Sequence, residues 1–121
     1  FEVGNGQNSY GYWNSSSISS GQWHHVTVVF DGSGSTNANK AKLFVNGVMR
    51  TMTFSGTLPT TTSSSLSGIN FQLANMYSPG NNFQGAVDDL RIYNYALTAA
   101  QVKTVMNQGA AVRYGPSQGS P

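Results

Sequence analysis

The sequence of 121 residues contains no cysteine and little charge. Without cysteine the chain can form neither disulfides nor thiolate metal sites, and it has no cysteine nucleophile. Charged residues make up only 8% of the chain, against about 25% in an average soluble domain. The basic residues are scattered singly and form no stripe that could follow a phosphate backbone, so we expect no nucleic-acid partner.

Long apolar runs and an N-terminal leader are also missing. No stretch approaches the ~18 apolar residues that a membrane span requires, so we expect no membrane insertion. The chain begins at Phe1 without an initiator methionine or a basic segment, which suggests a processed or excised piece of a longer protein. Hydrophobic residues make up 38% of the chain, enough for a packed core. The amide- and hydroxyl-rich polarity is common among secreted bacterial β domains, so we expect an extracellular or cell-surface location.

Strand and turn patterns dominate the sequence. β-branched, aromatic and alternating segments predict strands at 22–30, 40–45, 48–54, 69–75 and 83–93, with weaker candidates at 1–3 and 9–13. Small polar residues predict loops at 33–39 and 55–68. Together these segments predict an all-β domain.

The pair Asn46-Gly47 lies between two predicted strands. Such a pair favours a type I′ hairpin, because that turn needs positive φ at both central residues. A two-residue turn fixes the register of the strands. It predicts three facing pairs, which are Val45–Val48, Leu43–Arg50 and Ala41–Met52.

One segment, 99–107, has the pattern of a helix. Thr98 is a suitable N-cap, and Gly109 is placed to end the helix. A helix of about nine residues is too short to be stable alone, so it must pack on the sheet. The apolar residues on its packing side are Val102, Val105 and Met106.

Three segments, GQWHHVTVVFDGSG, KLFVNG and FQGAVDDLRIYNYALTAAQV, resemble in this order the laminin-G-like, concanavalin A-like jelly-roll family. The resemblance covers about residues 20 to 107. It implies an antiparallel β-sandwich of jelly-roll type with one short C-terminal helix. The positions that match the family pattern are Trp23, His25, Val26, Asp31, Gly32, Asn46, Gly47, Phe83, Gly85, Asp88, Asp89, Arg91, Tyr93, Asn94, Leu97 and Thr98. Among these, the resemblance implies structural roles for Trp23, His25, Gly47, Gly85, Asp89, Arg91 and Tyr93.

Complete domains of this family have several strands before the Trp-His strand, so the chain resembles their C-terminal two-thirds. We expect residues 1–109 to form one N-terminally incomplete domain and residues 110–121 to form an exit segment or linker. The strands that are missing would lie upstream or come from another chain. We therefore expect self-association, or a partner chain that completes the sheet.

The carboxylates argue against an enzyme. Glycoside hydrolysis needs two carboxyl groups facing one bond, ~5 to 10 Å apart. Asp88 and Asp89 are adjacent, and adjacent residues of a strand point to opposite faces. We expect this pair to be structural, with one carboxylate accepting hydrogen bonds from the backbone or from Arg91.

Two sets of residues contain possible metal ligands. His24 and His25 are adjacent in a predicted strand and diverge, so we expect a packed or hydrogen-bonded His25 and no shared ion. The resemblance suggests calcium at Asp31, Asn46 and Asp88, whose oxygens suit that ion. The alternative is that Asp31 and Asn46 stabilise turns, and no other cofactor is expected.

Aromatic residues beside Asn and Ser are the remaining functional feature. Rings with neighbouring polar groups suit the stacking and hydrogen bonding of a sugar. The candidate ligand-binding residues are Tyr10, Tyr12, Trp13 and Tyr77, and the alternative is that these rings fill the core. We expect a non-catalytic recognition or adhesion module that binds carbohydrate or a surface protein. The competing hypothesis is a structural or assembly domain that pairs sheet edges with another chain and has no small ligand.

Overall fold

The computed structural model describes residues 9–13, 18–62 and 83–114. The chain divides into two units, Phe1–Thr62 with Asn94–Pro121, and Ser63–Tyr93. The elements of the first unit are β1 (Tyr10–Tyr12), β2 (Val26–Phe30), α1 (Asn37–Lys40), β3 (Ala41–Val45), β4 (Val48–Arg50), β5 (Thr53–Ser55) and α2 (Ala99–Tyr114). The strands form two antiparallel sheets, β1–β5 and β2–β3–β4. The antiparallel sheets fit the expected mostly β fold, and the described residues form two small sheets rather than a full jelly roll.

The β3–β4 hairpin has the predicted turn. Asn46 and Gly47 have φ values of 52° and 72°, as a type I′ turn requires. Val45 faces Val48 and Leu43 faces Arg50, which confirms those two pairs. The third predicted pair, Ala41–Met52, is wrong. Strand β4 ends at Arg50, so the β3–β4 pairing stops before it reaches Ala41 and Met52.

The segment predicted as one strand over 48–54 is divided between the two sheets. After Arg50 the chain leaves the first sheet, and β5 pairs with β1 in the register Tyr10–Ser55, Gly11–Phe54 and Tyr12–Thr53. Gly11 permits this close pairing, because a Cβ there would lie 2.8 Å from both Met52 Cε and Phe54 Cε1. The weak strand candidate at 9–13 therefore exists, while the one at 1–3 and the strand at 69–75 lie outside the described residues.

The loop expected over 33–39 contains the start of α1. The Thr36 hydroxyl accepts a hydrogen bond from Asn39 N at 3.2 Å and caps this turn. The Asn37 side chain then anchors the following polar segment, donating to Gly56 O at 2.8 Å and accepting from Leu58 N at 2.9 Å. The buried Lys40 adds a bond from Nζ to Leu58 O at 2.7 Å. The first part of the polar loop predicted over 55–68 is thus fixed by side chains of α1.

Helix α2 starts where predicted but extends further. Gln101 N donates to Thr98 Oγ1 and Thr98 N donates to Gln101 Oε1, so the predicted cap is a reciprocal capping box. The prediction that Gly109 ends the helix is wrong, since α2 continues to Tyr114. A glycine inside a helix costs only about 1 kcal/mol, which does not stop it. The segment 110–121 therefore begins as helix.

The hydrophobic cluster that includes α2 lies on one face of the β2–β3–β4 sheet. It contains Val29, Phe44, Leu97 and Val102, with Val102 fully buried. Val105 and Met106 are half-buried, so the predicted apolar side is the packing side of the helix. No helix among the described residues is long and apolar enough to cross a membrane.

The strand predicted over 83–93 is not present. These residues, the described part of the second unit, contain neither helix nor strand. Asp89 has a φ of 52°, a left-handed conformation that interrupts an extended chain. Large apolar side chains of this segment, among them Leu90 and Ile92, are exposed.

Candidate functional site

The rings of Tyr10 and Tyr12 lie on one face of the β1–β5 sheet. Residues two apart in a strand share a face, so both rings lie on the face opposite to the one that a Gly11 side chain would occupy. Their centroids are 6.1 Å apart with 39° between the planes, and the two side chains are 38% and 49% exposed. Facing residues of paired strands also share a face, which adds the hydroxyls of Ser55 and Thr53. We call these four residues the tyrosine face.

The tyrosine face combines apolar ring surface with four hydroxyl groups at an exposed position. The rings of Tyr10 and Tyr12 therefore do not fill the core, which is the alternative role that the sequence leaves open for them. A flat apolar surface beside hydroxyl donors and acceptors is suited to a ligand with both C–H and O–H groups.

Of the other two predicted ligand-binding residues, Trp13 lies beside the tyrosine face in the chain. Trp13 follows β1 and is half-buried, with the Arg50 guanidinium carbon 5.8 Å from its ring centroid. This distance is typical of a cation–π contact. Tyr77 lies outside the described residues.

The two histidines make hydrogen bonds with neighbouring segments. His25 N donates to Asn46 Oδ1 at 2.9 Å, and Asn46 N donates to His25 O at 2.8 Å. His24 Nε2 lies 3.1 Å from Ser19 O, and its Nδ1 lies 3.3 Å from Asn46 Nδ2. These contacts tie the hairpin turn to the segment before β2. Among the described residues no group of three His, Cys, Asp or Glu side chains could hold a metal ion.

The structure separates Asp31 from Asn46, two of the three residues suggested for calcium. Asp31 follows β2 and Asn46 follows β3, and these strands run antiparallel over five facing pairs. Asp31 lies level with Lys40, six residues before Asn46. At ~3.3 Å per residue the two side chains start about 20 Å apart, too far to share an ion. The Asp31 carboxylate instead accepts bonds from Ser33 Oγ at 2.6 Å and Ser33 N at 3.0 Å. These hydrogen bonds from Ser33 lower the pKa of Asp31.

The Asp88-Asp89 pair is also occupied by local bonds. Arg91 donates from Nε and Nη2 to the two oxygens of Asp89, each at 2.9 Å. This bidentate pair, assisted by Tyr93, raises the pKa of Arg91. Asp88 Oδ1 accepts from Asp89 N at 2.8 Å. Both carboxylates thus accept local hydrogen bonds.

Three further residues of the family pattern have different surroundings. Trp23, expected as a structural residue, is 66% exposed and does not pack in the described core. Gly47 is buried, and a Cβ there would lie 3.2 Å from Met106 Cε, so the turn contacts α2. At Gly85 a Cβ would lie 2.7 Å from Phe83 Cε1, so this glycine makes room for a ring.

Sequence reasoning missed a depression of about 160 Å³ beside β4. Its lining residues are Ala38, Ala41, Lys42, Met49, Arg50, Thr51, Met52 and Phe54. We call it the basic depression, because Lys42 and Arg50 are its charged residues. They come from different strands, and the register, which places Leu43 opposite Arg50, starts the side chains of Lys42 and Arg50 on opposite faces of the sheet, so no sequence pattern indicates that both line one space.

Comparison with known proteins agrees with this architecture. Residues 1–103 match the laminin G model of the concanavalin A-like lectin/glucanases superfamily. The chain therefore belongs to this superfamily, which confirms the resemblance seen in the sequence. A comparison with curated proteins finds no match.

A solved structure is also similar. It is that of residues 221–444 of an S-layer domain-containing protein from Clostridium thermocellum ATCC 27405. The TM-score is 0.51 at 25% sequence identity, over 75% of this chain and 42% of that chain. The chain thus spans less than half the length of this neighbour.

Proposed function

We propose that this member of the concanavalin A-like superfamily is a non-catalytic recognition module of a secreted or cell-surface protein, and that it binds carbohydrate. The observation that supports this most strongly is the exposed pair Tyr10 and Tyr12 with the hydroxyls of Thr53 and Ser55 beside it. A sugar ring presents C–H groups on its faces and hydroxyls at its rim. The tyrosine face offers complementary groups, with ring surface for the former and hydroxyls for the latter.

The carboxylates of the described residues support a binding role over a catalytic one. Asp31 accepts two hydrogen bonds from Ser33, and Asp89 accepts two from Arg91. Asp88 accepts one from the backbone. A general acid must protonate the leaving oxygen while a second carboxylate acts across the bond, and none of these groups is arranged for either task.

The surface location is supported by the comparison and by composition. The similar protein is named for its S-layer domain. The low charge and high content of Ser, Thr, Asn and Gln are typical of secreted bacterial β domains. Because the chain covers less than half of that neighbour, what the whole protein attaches to is a separate question, and the proposal concerns this domain alone.

A glycan array followed by calorimetry tests the proposal. Tyr10→Ala and Tyr12→Ala should each weaken binding of the selected glycan roughly tenfold, which corresponds to about 1.4 kcal/mol. Tyr10→Phe and Tyr12→Phe keep the ring and should retain most of the affinity. Trp23→Ala removes an even more exposed ring from another part of the chain and is the matched control. The proposal fails if no glycan binds, or if the double alanine variant binds as well as the native chain.

A second candidate is an assembly domain, and the outer edge of β2 favours it. Among the described residues β2 pairs only with β3, and its Val26 and Val28 are 52% and 39% exposed. A strand edge with apolar side chains readily pairs with another chain. Light scattering over a range of concentrations should then show a dimer or larger particle, and Val28→Lys should shift it toward the monomer. A monomer at all concentrations would exclude this candidate.

A further inference from the structure

The basic depression lies on the other side of the β1–β5 sheet from the tyrosine face. Gly11 alternates with Tyr10 and Tyr12, and its open side meets Phe54 and Met52. Both of these residues line the depression. The two surfaces therefore share a sheet but offer separate sites.

Most of the wall is apolar. Two methionines, Phe54 and two alanines surround the space. Methionine side chains are unbranched and flexible, so they adapt to the shape of an occupant. Pockets for drug-sized ligands have about 300–1,000 Å³, and the 160 Å³ of this depression fits a smaller molecule.

The charge of the lining is one-sided. Lys42 and Arg50 contribute to it, and no acidic residue does. Asp31 attracts Lys42 electrostatically, but the hydrogen bonds that the Asp31 carboxylate accepts come from Ser33. In the part of the chain that the structure describes, the ion pair is that of Asp89 with Arg91, so neither lining cation has a carboxylate in contact.

Arg50 has a side-chain donor that is available to an anion. Its guanidinium stacks near the Trp13 ring, which restricts its orientation at the end of β4. Its Nε is buried and has no hydrogen-bond partner among the described residues. A buried donor without an acceptor is unfavourable, and an arriving oxygen would satisfy it. The planar fork of a guanidinium matches the two oxygens of a carboxylate.

We propose that the basic depression is a second ligand site, which binds a small organic carboxylate. The carboxylate pairs with Arg50, Lys42 adds a second positive charge to the lining, and the apolar body of the ligand packs against Met49, Met52 and Phe54. This site does not depend on carbohydrate binding at the tyrosine face.

Benzoate is a suitable probe, and the methionine methyl groups are the reporters. The chain has four methionines, of which Met49 and Met52 line the depression while Met106 contacts the hairpin turn from α2. In ¹³C-methyl-labelled protein at constant ionic strength, benzoate should shift the Met49 and Met52 resonances in a saturable way and leave Met106 in place. Benzyl alcohol, of similar size but neutral, should bind at least tenfold more weakly.

Charge variants complete the test. Lys42→Gln and Arg50→Gln should each raise the benzoate dissociation constant about tenfold, while Lys103→Gln, an exposed cation elsewhere, should leave it unchanged. Arg50→Lys keeps the charge without the fork and should be intermediate. If Arg50→Gln unfolds the chain, Lys42→Gln and Arg50→Lys still decide. The proposal is overturned if benzyl alcohol binds as well as benzoate, if Lys42→Gln and Arg50→Lys bind benzoate as the native chain does, or if no saturable shift occurs.

Discussion

Replacing Gly47 with valine should destabilise the domain in two separable ways. The φ of +72° is in the left-handed region, which costs an L-residue roughly 1–2 kcal/mol. A Cβ would also lie 3.2 Å from Met106 Cε and 3.4 Å from Lys103 Cγ, and the two γ-methyl groups of valine would press further against α2. Overpacking of this kind adds about 1–3 kcal/mol. The sum is about 2–5 kcal/mol, so the melting temperature should fall by on the order of 10 °C or more.

Gly21 provides the matched control for this substitution. Its φ is +75°, yet a Cβ there would meet nothing within 4 Å. Gly21→Val should therefore show the backbone cost alone, and the difference between the two variants measures the contact of the turn with α2. Thermal unfolding followed by circular dichroism supplies both values. Equal melting temperatures for the native chain and Gly47→Val would refute the type I′ turn, and equal losses for the two variants would refute the packing of α2 against it.

Three further predictions concern other parts of the first unit. Val102→Asp places a charge in the fully buried position of α2 and should abolish cooperative unfolding. Val105→Asp, at a half-buried position, should reduce the free energy of unfolding by less. Equal effects of the two substitutions would contradict the packing of α2 through Val102. Thr98→Ala removes the capping box of α2 and should cost about 1 kcal/mol in chemical unfolding, and no change would show that the cap is unimportant. Hydrogen bonds from Ser33 lower the pKa of Asp31 in the folded chain, so its ionised carboxylate stabilises the fold above the ordinary carboxyl pKa of ~4. This stabilisation is lost as the pH falls through the lower pKa that Asp31 has in the folded state. Ser33→Ala should reduce this dependence in acid titrations, and an identical acid profile would contradict it.

The elements that the sequence predicts correctly are those fixed by neighbouring residues. The Asn46-Gly47 turn and the Thr98 cap each depend on a few adjacent side chains, and both form as expected. The register next to the turn follows directly from its length. By contrast, Gly109 has only a weak local preference, which the continuing helix overrides.

The elements that the sequence does not predict depend on distant partners. The break after Arg50 arises because residues 53–55 pair with β1, more than forty positions away in the chain. Asp89 interrupts the strand expected over 83–93 through a backbone conformation that hydrophobic alternation does not reveal. The same holds for the candidate sites. Tyr10 and Tyr12 can be selected from the local sequence as aromatic residues beside Asn and Ser, whereas the basic depression depends on how three segments meet.

A substitution at Gly11 should affect both candidate sites at once. Gly11→Ala would bring a methyl group to 2.8 Å from Met52 Cε and Phe54 Cε1, closer than folded proteins tolerate. Strand β1 or the Phe54 ring must then shift, at a cost of about 1–3 kcal/mol. The shift would move the tyrosine rings on one face and narrow the basic depression on the other. Gly11→Ala should therefore weaken both the selected glycan and benzoate, whereas Tyr12→Ala should affect only the glycan and Lys42→Gln only benzoate. Unchanged affinity for both ligands in a folded Gly11→Ala variant would contradict the shared β1–β5 sheet on which the two sites are built.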